Sequence, residues 1–385
     1  MSLAVCLVAL SALPLAPSAT AMAGARASAS DRCPAHVLAI HGLDSATTAI
    51  RAIAALSATD VWAAGSINID RPLATYGLIE HYDGKVWCAV DTHDWTADGY
   101  PGTGFPGLYA LAAISPRDVW AVGTRVEHWD GQAWRVVPSL PNGWPTLVSA
   151  SSADNVWATN GTLVQRWDGH RWQEVPPPST LASLTSIPEA LATSAATDTW
   201  LVGATRPGGI RGPWVAHWDG RQWQETQLPR APSPAGYGSA LQAACDNPGP
   251  DVLHLNSAAA LRSDDIWAVG WQMTSTLSRP ICSLAFHWDG TSWQQVWQPV
   301  SPDYLSLLVA TPGRDIWDVD NPAFQGQRYD GHTWQPVRSF GSTGNGLNPT
   351  SMSAVSDDDI WAVGSGAAAQ WDGRQWKMVS ITPVG

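Results

Sequence analysis

Histidine and aspartate side chains are the first candidates for proton transfer or metal binding in this chain. His93 and His254 fall between repeated motifs, where each could bind a metal or have no chemical role. Asp357, Asp358 and Asp359 form an acidic run, but a calcium site needs more ligands than one run supplies, so a solvated turn is favoured. Four further histidines occupy one position of the repeat, which predicts a structural role. They are His81, His128, His217 and His287.

Sequence motifs for nucleophilic, phosphate-binding or zinc-dependent catalysis are missing. The chain has no Gly-x-Ser-x-Gly, no phosphate-binding loop and no His-Glu-x-x-His. We therefore predict no catalytic residues, no metal site and no cofactor. A glycosidase, lyase or oxidase with an unidentified site on its loops stays open as an alternative.

Aromatic side chains outside the repeat are stronger candidates for ligand binding. Of the 24 tryptophans, nineteen occupy repeat positions, where packing between repeats is the expected role. The other five, with two tyrosines, lie in or beside irregular connections and could stack on sugars or anchor a partner protein. The alternative is that they cover their own loops. They are Trp95, Tyr100, Trp144, Trp214, Tyr237, Trp271 and Trp297.

A repeated unit must position these residues. Its first half reads Asp-Val-Trp-Ala-Val-Gly from Asp118, and its second half reads His-Trp-Asp-Gly-Gln-Ala-Trp from His128. The pair recurs seven times in the same order, which indicates a repeat architecture. Asp-Gly between short apolar runs predicts a two-residue hairpin turn, in which Trp129 opposes Gln132 and shares a face with Trp134.

Each unit contains four predicted strands, A to D, and seven units predict an all-β, seven-bladed β-propeller with four-stranded antiparallel blades over residues 48–385. The A–B and C–D turns are uniform and share one face. The irregular connections share the other face, where loops on a rigid scaffold usually carry binding groups. They are residues 66–76, 91–107, 138–145, 205–213, 228–258, 271–280 and 298–303.

The N-terminal segment predicts export. Residues 1–29 combine an apolar run with small residues typical of a cleaved signal peptide, and residues 30–47 form an N-terminal arm. The apolar run is too short to span a membrane, so we expect a secreted protein with no membrane span once mature. Four cysteines then remain, and three pairings are possible; we favour Cys33 with Cys88 and Cys245 with Cys282 over a metal site.

The net charge restricts the class of partner. The formal net charge is −12, and the chain is 45% hydrophobic and 14% charged. A nucleic-acid-binding protein needs a basic surface, so we expect no nucleic acid partner. We predict a monomer that binds a glycan, cell-envelope material or an extracellular protein without catalysing a reaction, or alternatively serves as a protein-interaction scaffold.

The repeats also resemble known families. The Trp-Asp-Gly-x-x-Trp hairpin from Trp129 is similar to the Asp-box of BNR and sialidase-type propellers, with one residue fewer between Asp and Gly. The strand from Asp118 is similar to strands of tectonin-type and photosystem assembly-factor propellers. Over residues 48–379 the chain resembles exported bacterial repeat proteins often labelled galactose-oxidase-like or kelch-like. The resemblance implies the architecture, and no family's catalytic set can be placed on these residues.

Overall fold

The structure, a computed structural model, confirms the predicted all-β, seven-bladed β-propeller. Each blade is a four-stranded antiparallel sheet whose strands follow one another in the chain. No helix among the described residues is long and apolar enough to cross a membrane. The described residues are 47–70, 73–90, 107–139, 144–184, 186–205, 213–229, 253–272, 282–297, 304–321, 326–337, 347, 349–364, 367–379 and 381.

The strands are numbered in chain order, and within each blade they correspond to strands A, B, C and D. Blades 1 and 2 contain β1 (Thr47–Ser57), β2 (Asp60–Asp70), β3 (Leu73–Tyr82), β4 (Trp87–Ala89), β5 (Leu108–Ser115), β6 (Asp118–Gly123), β7 (Val126–Trp129) and β8 (Trp134–Val136). Blades 3 and 4 contain β9 (Leu147–Ser152), β10 (Asn155–Thr159), β11 (Val164–Trp167), β12 (Trp172–Val175), β13 (Ser186–Ala195), β14 (Asp198–Thr205), β15 (Trp214–Trp218) and β16 (Trp223–Gln227). A short helix, α1 (Ser179–Ala182), joins them.

Blades 5 and 6 contain β17 (Leu253–Arg262), β18 (Asp265–Gln272), β19 (Cys282–Trp288), β20 (Trp293–Gln295), β21 (Tyr304–Ala310), β22 (Ile316–Asn321), β23 (Gly326–Tyr329) and β24 (Trp334–Val337). Blade 7 contains β25 (Ser351–Ser356), β26 (Asp359–Gly364), β27 (Ala367–Trp371) and β28 (Trp376–Val379). Successive A strands are neighbours around the ring, and β25 of the last blade contacts β1 of the first. The A strands therefore surround the axis.

The ring closes without exchange of strands between blades. All four strands of blade 1 come from the N-terminal end of the ring, and all four strands of blade 7 come from its C-terminal end. Side chains of blade 7 bond the backbone of β1: the Thr350 hydroxyl donates to the Ile50 carbonyl oxygen at 3.0 Å. The Ser353 hydroxyl oxygen accepts from the Ala55 N–H at 2.9 Å. Packing and these hydrogen bonds hold blade 7 against blade 1, at the junction that we call the seam.

The tryptophans of the repeat pack between blades, as predicted. Trp120 on β6 stacks on His128 of its own blade with ring centroids 4.3 Å apart. Its other edges meet Trp167 and Trp172 of blade 3 at 5.1 and 5.5 Å. The side chain is 1% exposed. Repetition of this contact around the ring joins each blade to the next.

The four repeat histidines bond aspartates, which confirms their structural role. The ring Nε2 of His217 lies 2.7 Å from an Asp198 carboxylate oxygen, and equivalent pairs occur at 2.8–2.9 Å in blades 1, 2 and 5. The same Asp198 oxygen accepts from the Trp200 indole N–H at 2.8 Å. Burial alone raises the pKa of Asp198, but hydrogen bonds from His217, Ser194 and Trp200 outweigh burial and hold that pKa below its usual value.

The hairpin turn differs from the two-residue turn that we predicted. Trp129 pairs directly with Trp134, and the Asp130 N–H donates to the Ala133 carbonyl oxygen at 3.3 Å, so four residues form the turn. The Asp130 carboxylate accepts the N–H groups of Gln132 and Ala133, each at 2.9 Å. A side chain that bonds two backbone donors stabilises this wider turn. The two tryptophan rings still share a face, 6.1 Å apart.

One connection predicted to be irregular is a paired ribbon. Residues 66–76 were expected to form a loop, but β2 and β3 stay in register from Ser66 opposite Gly77 to Asp70 opposite Leu73. Ile67 is 1% exposed within this extension. Continued β-pairing and burial of an apolar side chain explain why the expected loop is replaced by strands.

Candidate binding face

The B–C and D–A connections lie together on one side of the ring, which we call the loop face. In an antiparallel meander, the A–B and C–D turns must lie on the opposite side. Much of the loop face falls outside the described residues, including three of the predicted aromatic candidates. They are Trp95, Tyr100 and Tyr237.

Exposed apolar side chains are concentrated on the loop face of blades 3 and 4. Five large hydrophobic side chains are exposed within the described ranges, and three of them precede or begin an A strand: Trp144 at 57%, Leu184 at 49% and Ile187 at 40%. The other two, Val136 and Met378, lie on D strands. Trp144 thus presents its ring on the side of the molecule where binding groups are expected.

Hydrogen bonding and close packing connect these exposed residues to the rigid sheets. The N–H of Thr146, two residues after Trp144, donates to the Thr159 carbonyl oxygen of β10 at 2.9 Å. The adjoining turn of blade 3 lies against blade 4, because an ideal Cβ on Gly161 would be 3.7 Å from the Pro188 ring. The loop faces of blades 3 and 4 therefore form one continuous surface.

The predicted aromatic candidates differ in accessibility. Trp214 is 6% exposed, packs in the core between blades 3 and 4, and donates its indole N–H to Glu225 at 3.3 Å. Glu225 also accepts from the Ser179 hydroxyl at 2.7 Å, so Trp214 and Glu225 together hold α1 in place. Trp297 is half-buried after β20. Trp271 is half-buried on β18, where it contacts a histidine described below.

An extra residue interrupts the A strand in several blades. Ile50 and Ile53 both pack in the core that faces blade 7, although they are three residues apart. Leu108 and Leu111 likewise share the core between blades 1 and 2. Regular alternation cannot place residues three apart on one face, so one residue is inserted between them as a β-bulge.

A glycine of the repeat lies opposite this bulge in blades 1, 2, 4 and 5, whereas blade 6 has Asp320 at the same position. Gly270 of β18 pairs with Leu255, and an ideal Cβ on Gly270 would lie 1.8 Å from the His254 carbonyl oxygen. An ideal Cβ on Gly65 of β2 would likewise lie 2.0 Å from the Ala49 carbonyl oxygen. The glycine that ends the Trp-Ala-Val-Gly motif is therefore the sequence signal for a site that we did not predict.

The inserted residues are chemically diverse, whereas their neighbours on the strand are mostly apolar. None of them belongs to a hydrophobic core between blades, and each is on an A strand, the strand of its blade that borders the axis. We call these residues the bulge ring: Arg51, Tyr109, Glu189 and Asn256. Among them, the Arg51 guanidinium carbon lies 5.0 Å from the centre of the Tyr109 ring in the next blade.

A histidine–carboxylate pair spans blades 4 and 5 beside the bulge ring. The Nδ1 atom of His254 lies 2.6 Å from Oε1 of Glu189. The imidazole stacks on Trp271, with ring centroids 4.2 Å apart and planes at 26°. His254, which sequence reasoning placed in a loop, is on β17, and Glu189 was missed because nothing in the sequence joins residues of two blades.

Only some of the acidic residues and cysteines considered as metal ligands or disulfide partners lie within the described parts of the chain. No group of three potential metal-ligating side chains occurs among the described residues, and Asp357 accepts a hydrogen bond from Thr311. Cys88 is buried on β4 and is disulfide-bonded. Cys33, Cys245 and the side chain of Cys282 lie outside the described parts of the chain, so the pairings Cys33–Cys88 and Cys245–Cys282 stay predictions.

No family model matches the chain, and no curated protein matches it. Among solved structures, YCF48 bound to a D1 peptide is 16% identical, with a TM-score of 0.52 over 85% of this chain and 92% of that one. Virginiamycin B lyase from Staphylococcus aureus is 14% identical, with a TM-score of 0.54 over 83% and 92%.

The extracellular domain of the putative hybrid two-component system BT4673 from B. thetaiotaomicron is 12% identical. Its TM-score is 0.53 over 86% of this chain, which covers 39% of that one. At such identities the likeness establishes the fold alone. The comparisons and the sheet topology together identify this chain as a seven-bladed β-propeller.

Proposed function

We propose that this protein is a secreted binding protein without catalytic activity, whose loop face recognises glycan or cell-envelope material. The observation that carries the proposal is the 57% exposure of Trp144 on the loop face of a rigid ring. An indole ring on a fixed backbone stacks on the apolar face of a sugar with little loss of conformational entropy. Trp144 is the most exposed large hydrophobic side chain of the described residues.

The test is a glycan-array screen of residues 30–385 and of two variants. We expect a saturable hit whose affinity Trp144→Ala lowers at least tenfold. Met378→Ala removes a similarly exposed apolar side chain, 52% exposed, from a D strand and should leave binding unchanged. A blank array with correctly folded protein, or a hit that Trp144→Ala does not weaken, would refute the proposal.

A protein partner is the second candidate, and the aliphatic part of the same surface favours it. Leu184 and Ile187 are 49% and 40% exposed, and such side chains contribute to protein interfaces more than to sugar stacking. The fold is also that of YCF48, which has been solved with a D1 peptide.

A pull-down with the purified protein distinguishes this candidate. The double variant Leu184→Asp, Ile187→Asp should abolish capture of a protein partner and leave glycan binding by Trp144 largely intact. Protein capture that the double variant leaves unchanged, together with glycan binding that depends on Trp144, would favour the glycan.

A further inference from the structure

The bulge ring carries two groups of opposite chemistry on opposite sides of the axis. Arg51 belongs to blade 1, while the Glu189–His254 pair joins blades 4 and 5. In a ring of seven blades, the boundary between the fourth and fifth lies across the axis from the first. A cation and a hydrogen-bonding carboxylate–imidazole pair therefore lie on opposite sides of the axis, near the loop-side ends of the A strands, a region that we call the axial mouth.

The Arg51 guanidinium is available to bind an anion. No aspartate or glutamate of the described residues forms an ion pair with it, and its contact is with the face of the Tyr109 ring at 5.0 Å. The residue is half-buried. A guanidinium held against an aromatic ring, away from carboxylates, presents its fork of N–H donors for a bidentate anion.

The Glu189–His254 pair is suited to hydroxyl groups. Oε1 of Glu189 is bonded to His254 at 2.6 Å, whereas Oε2 is buried with no hydrogen-bond partner among the described residues. An unpartnered buried carboxylate oxygen is costly unless a donor reaches it. The imidazole is fixed by Glu189 on one side and by the Trp271 ring on the other, which leaves Nε2 to bond a second group.

We propose that the bulge ring is the binding site for a carboxylate-bearing saccharide. The sugar carboxylate pairs with Arg51, its hydroxyls donate to Glu189 and bond His254, and Trp271 and Tyr109 supply aromatic surface. This inference rests on the proposed glycan-binding function and narrows it to acidic glycans. It adds the axial mouth to the exposed Trp144 surface as a second contact region.

Isothermal titration calorimetry with matched probes tests the inference. A trisaccharide of uronic acid units and its neutral hexose counterpart differ only in the carboxylates. We expect the acidic probe to bind at least tenfold more tightly at low salt, with an affinity that falls as ionic strength rises. Arg51→Gln should remove that preference, and Glu189→Gln should weaken both probes.

Arg262→Gln is the matched control. Arg262 ends β17 on the face of the ring opposite the loop face, where its guanidinium bonds Asp264 at 2.9 Å. It should leave both affinities unchanged, and unfolding curves confirm that each variant folds. Equal affinity for the two probes, or a preference that survives Arg51→Gln, would overturn the inference while leaving glycan binding through Trp144 intact. Failure of every glycan would overturn both.

Discussion

Trp361 of the last blade meets Trp87 of the first blade edge to face, with ring centroids 5.9 Å apart and planes at 81°. Trp361 also contacts Tyr82 at 5.2 Å. The relation repeats that of Trp120 with Trp172 between blades 2 and 3, at 5.5 Å and 84°. The seam between the chain's two ends is therefore built like the interfaces inside the ring.

Replacing a buried tryptophan by alanine at this seam should destabilise the protein as strongly as the same change at another blade interface. Trp361→Ala and Trp317→Ala each remove a tryptophan that is 0% or 2% exposed, and we expect each to lower the free energy of unfolding by about 3–5 kcal/mol. Urea denaturation followed by circular dichroism measures both. The exposed Met378→Ala should change stability by less than about 0.5 kcal/mol. A much smaller loss for Trp361→Ala would contradict a closed seam.

Glu80 should make stability fall as the pH rises. Burial raises the pKa of this carboxyl to about 8, and neither of its oxygens has a hydrogen-bond partner among the described residues. It pairs with Ala63, a member of the core between blades 7 and 1. The folded state therefore holds the proton more tightly than the unfolded state, in which the carboxyl has its ordinary pKa of 4.5. The stability is complete below that value and is lost as the pH rises through 8.

Chemical denaturation between pH 5 and pH 9 measures this dependence. We expect Glu80 to contribute a slope of up to about 1.4 kcal/mol per pH unit in the wild type. Glu80→Gln should reduce it and stabilise the protein at alkaline pH. Glu127 occupies the equivalent place in blade 2, with its pKa raised to about 7 by burial, so the double variant with Glu127→Gln should be flatter still. Glu174→Gln, at an exposed position, is the control.

The hydrogen bonds to Asp198 predict a graded response to substitution. Asp198→Ala leaves the buried Trp200 N–H and the His217 ring without their acceptor, and should cost about 2–4 kcal/mol. Asp198→Asn keeps an oxygen for the indole, as Asn155 does for Trp157 at 3.0 Å in blade 3, and should cost about 1 kcal/mol. Unfolding at neutral pH compares them, with the exposed Asp264→Ala as control. Equal losses for Ala and Asn would refute the acceptor role.

The same Asp198 pairing has a defined pH dependence. Because the folded-state pKa of Asp198 is lowered, its contribution is present above the unfolded value of 3.8 and is lost as the pH falls through the folded value. Asp198→Asn should accordingly flatten the acid limb of the stability curve. An unchanged acid limb would contradict the lowered pKa.

The repeat predicts the blades because it encodes local contacts, whereas the bulge ring depends on contacts between repeats. Asp130 and Gly131 form a turn within one hairpin, and Trp129 meets Trp134 across it, so the sequence pattern alone indicates both. Glu189 and His254 are 65 residues apart, and only closure of the ring brings them together. The predicted turn type is wrong because the Asp130 carboxylate accepts two backbone N–H groups and so stabilises a four-residue turn. Trp214 shows that lying outside a motif does not imply exposure.

Gly270 links the fold to the candidate site, and its substitution should damage both. A Cβ at this position would lie 1.8 Å from the His254 carbonyl oxygen, so Gly270→Ala must displace the bulge that carries His254 and Asn256. We expect a loss of about 1–3 kcal/mol in stability. The acidic trisaccharide should also bind more weakly, because His254 can no longer meet Glu189 at 2.6 Å. Gly77→Ala, whose Cβ would make an ordinary 3.5 Å contact with Leu108, is the matched control in unfolding and calorimetry. Retention of full stability by Gly270→Ala would contradict the close approach of this position to the His254 carbonyl oxygen. If Gly270→Ala remains fully stable but no longer binds the acidic trisaccharide, the bulge serves ligand binding and not stability.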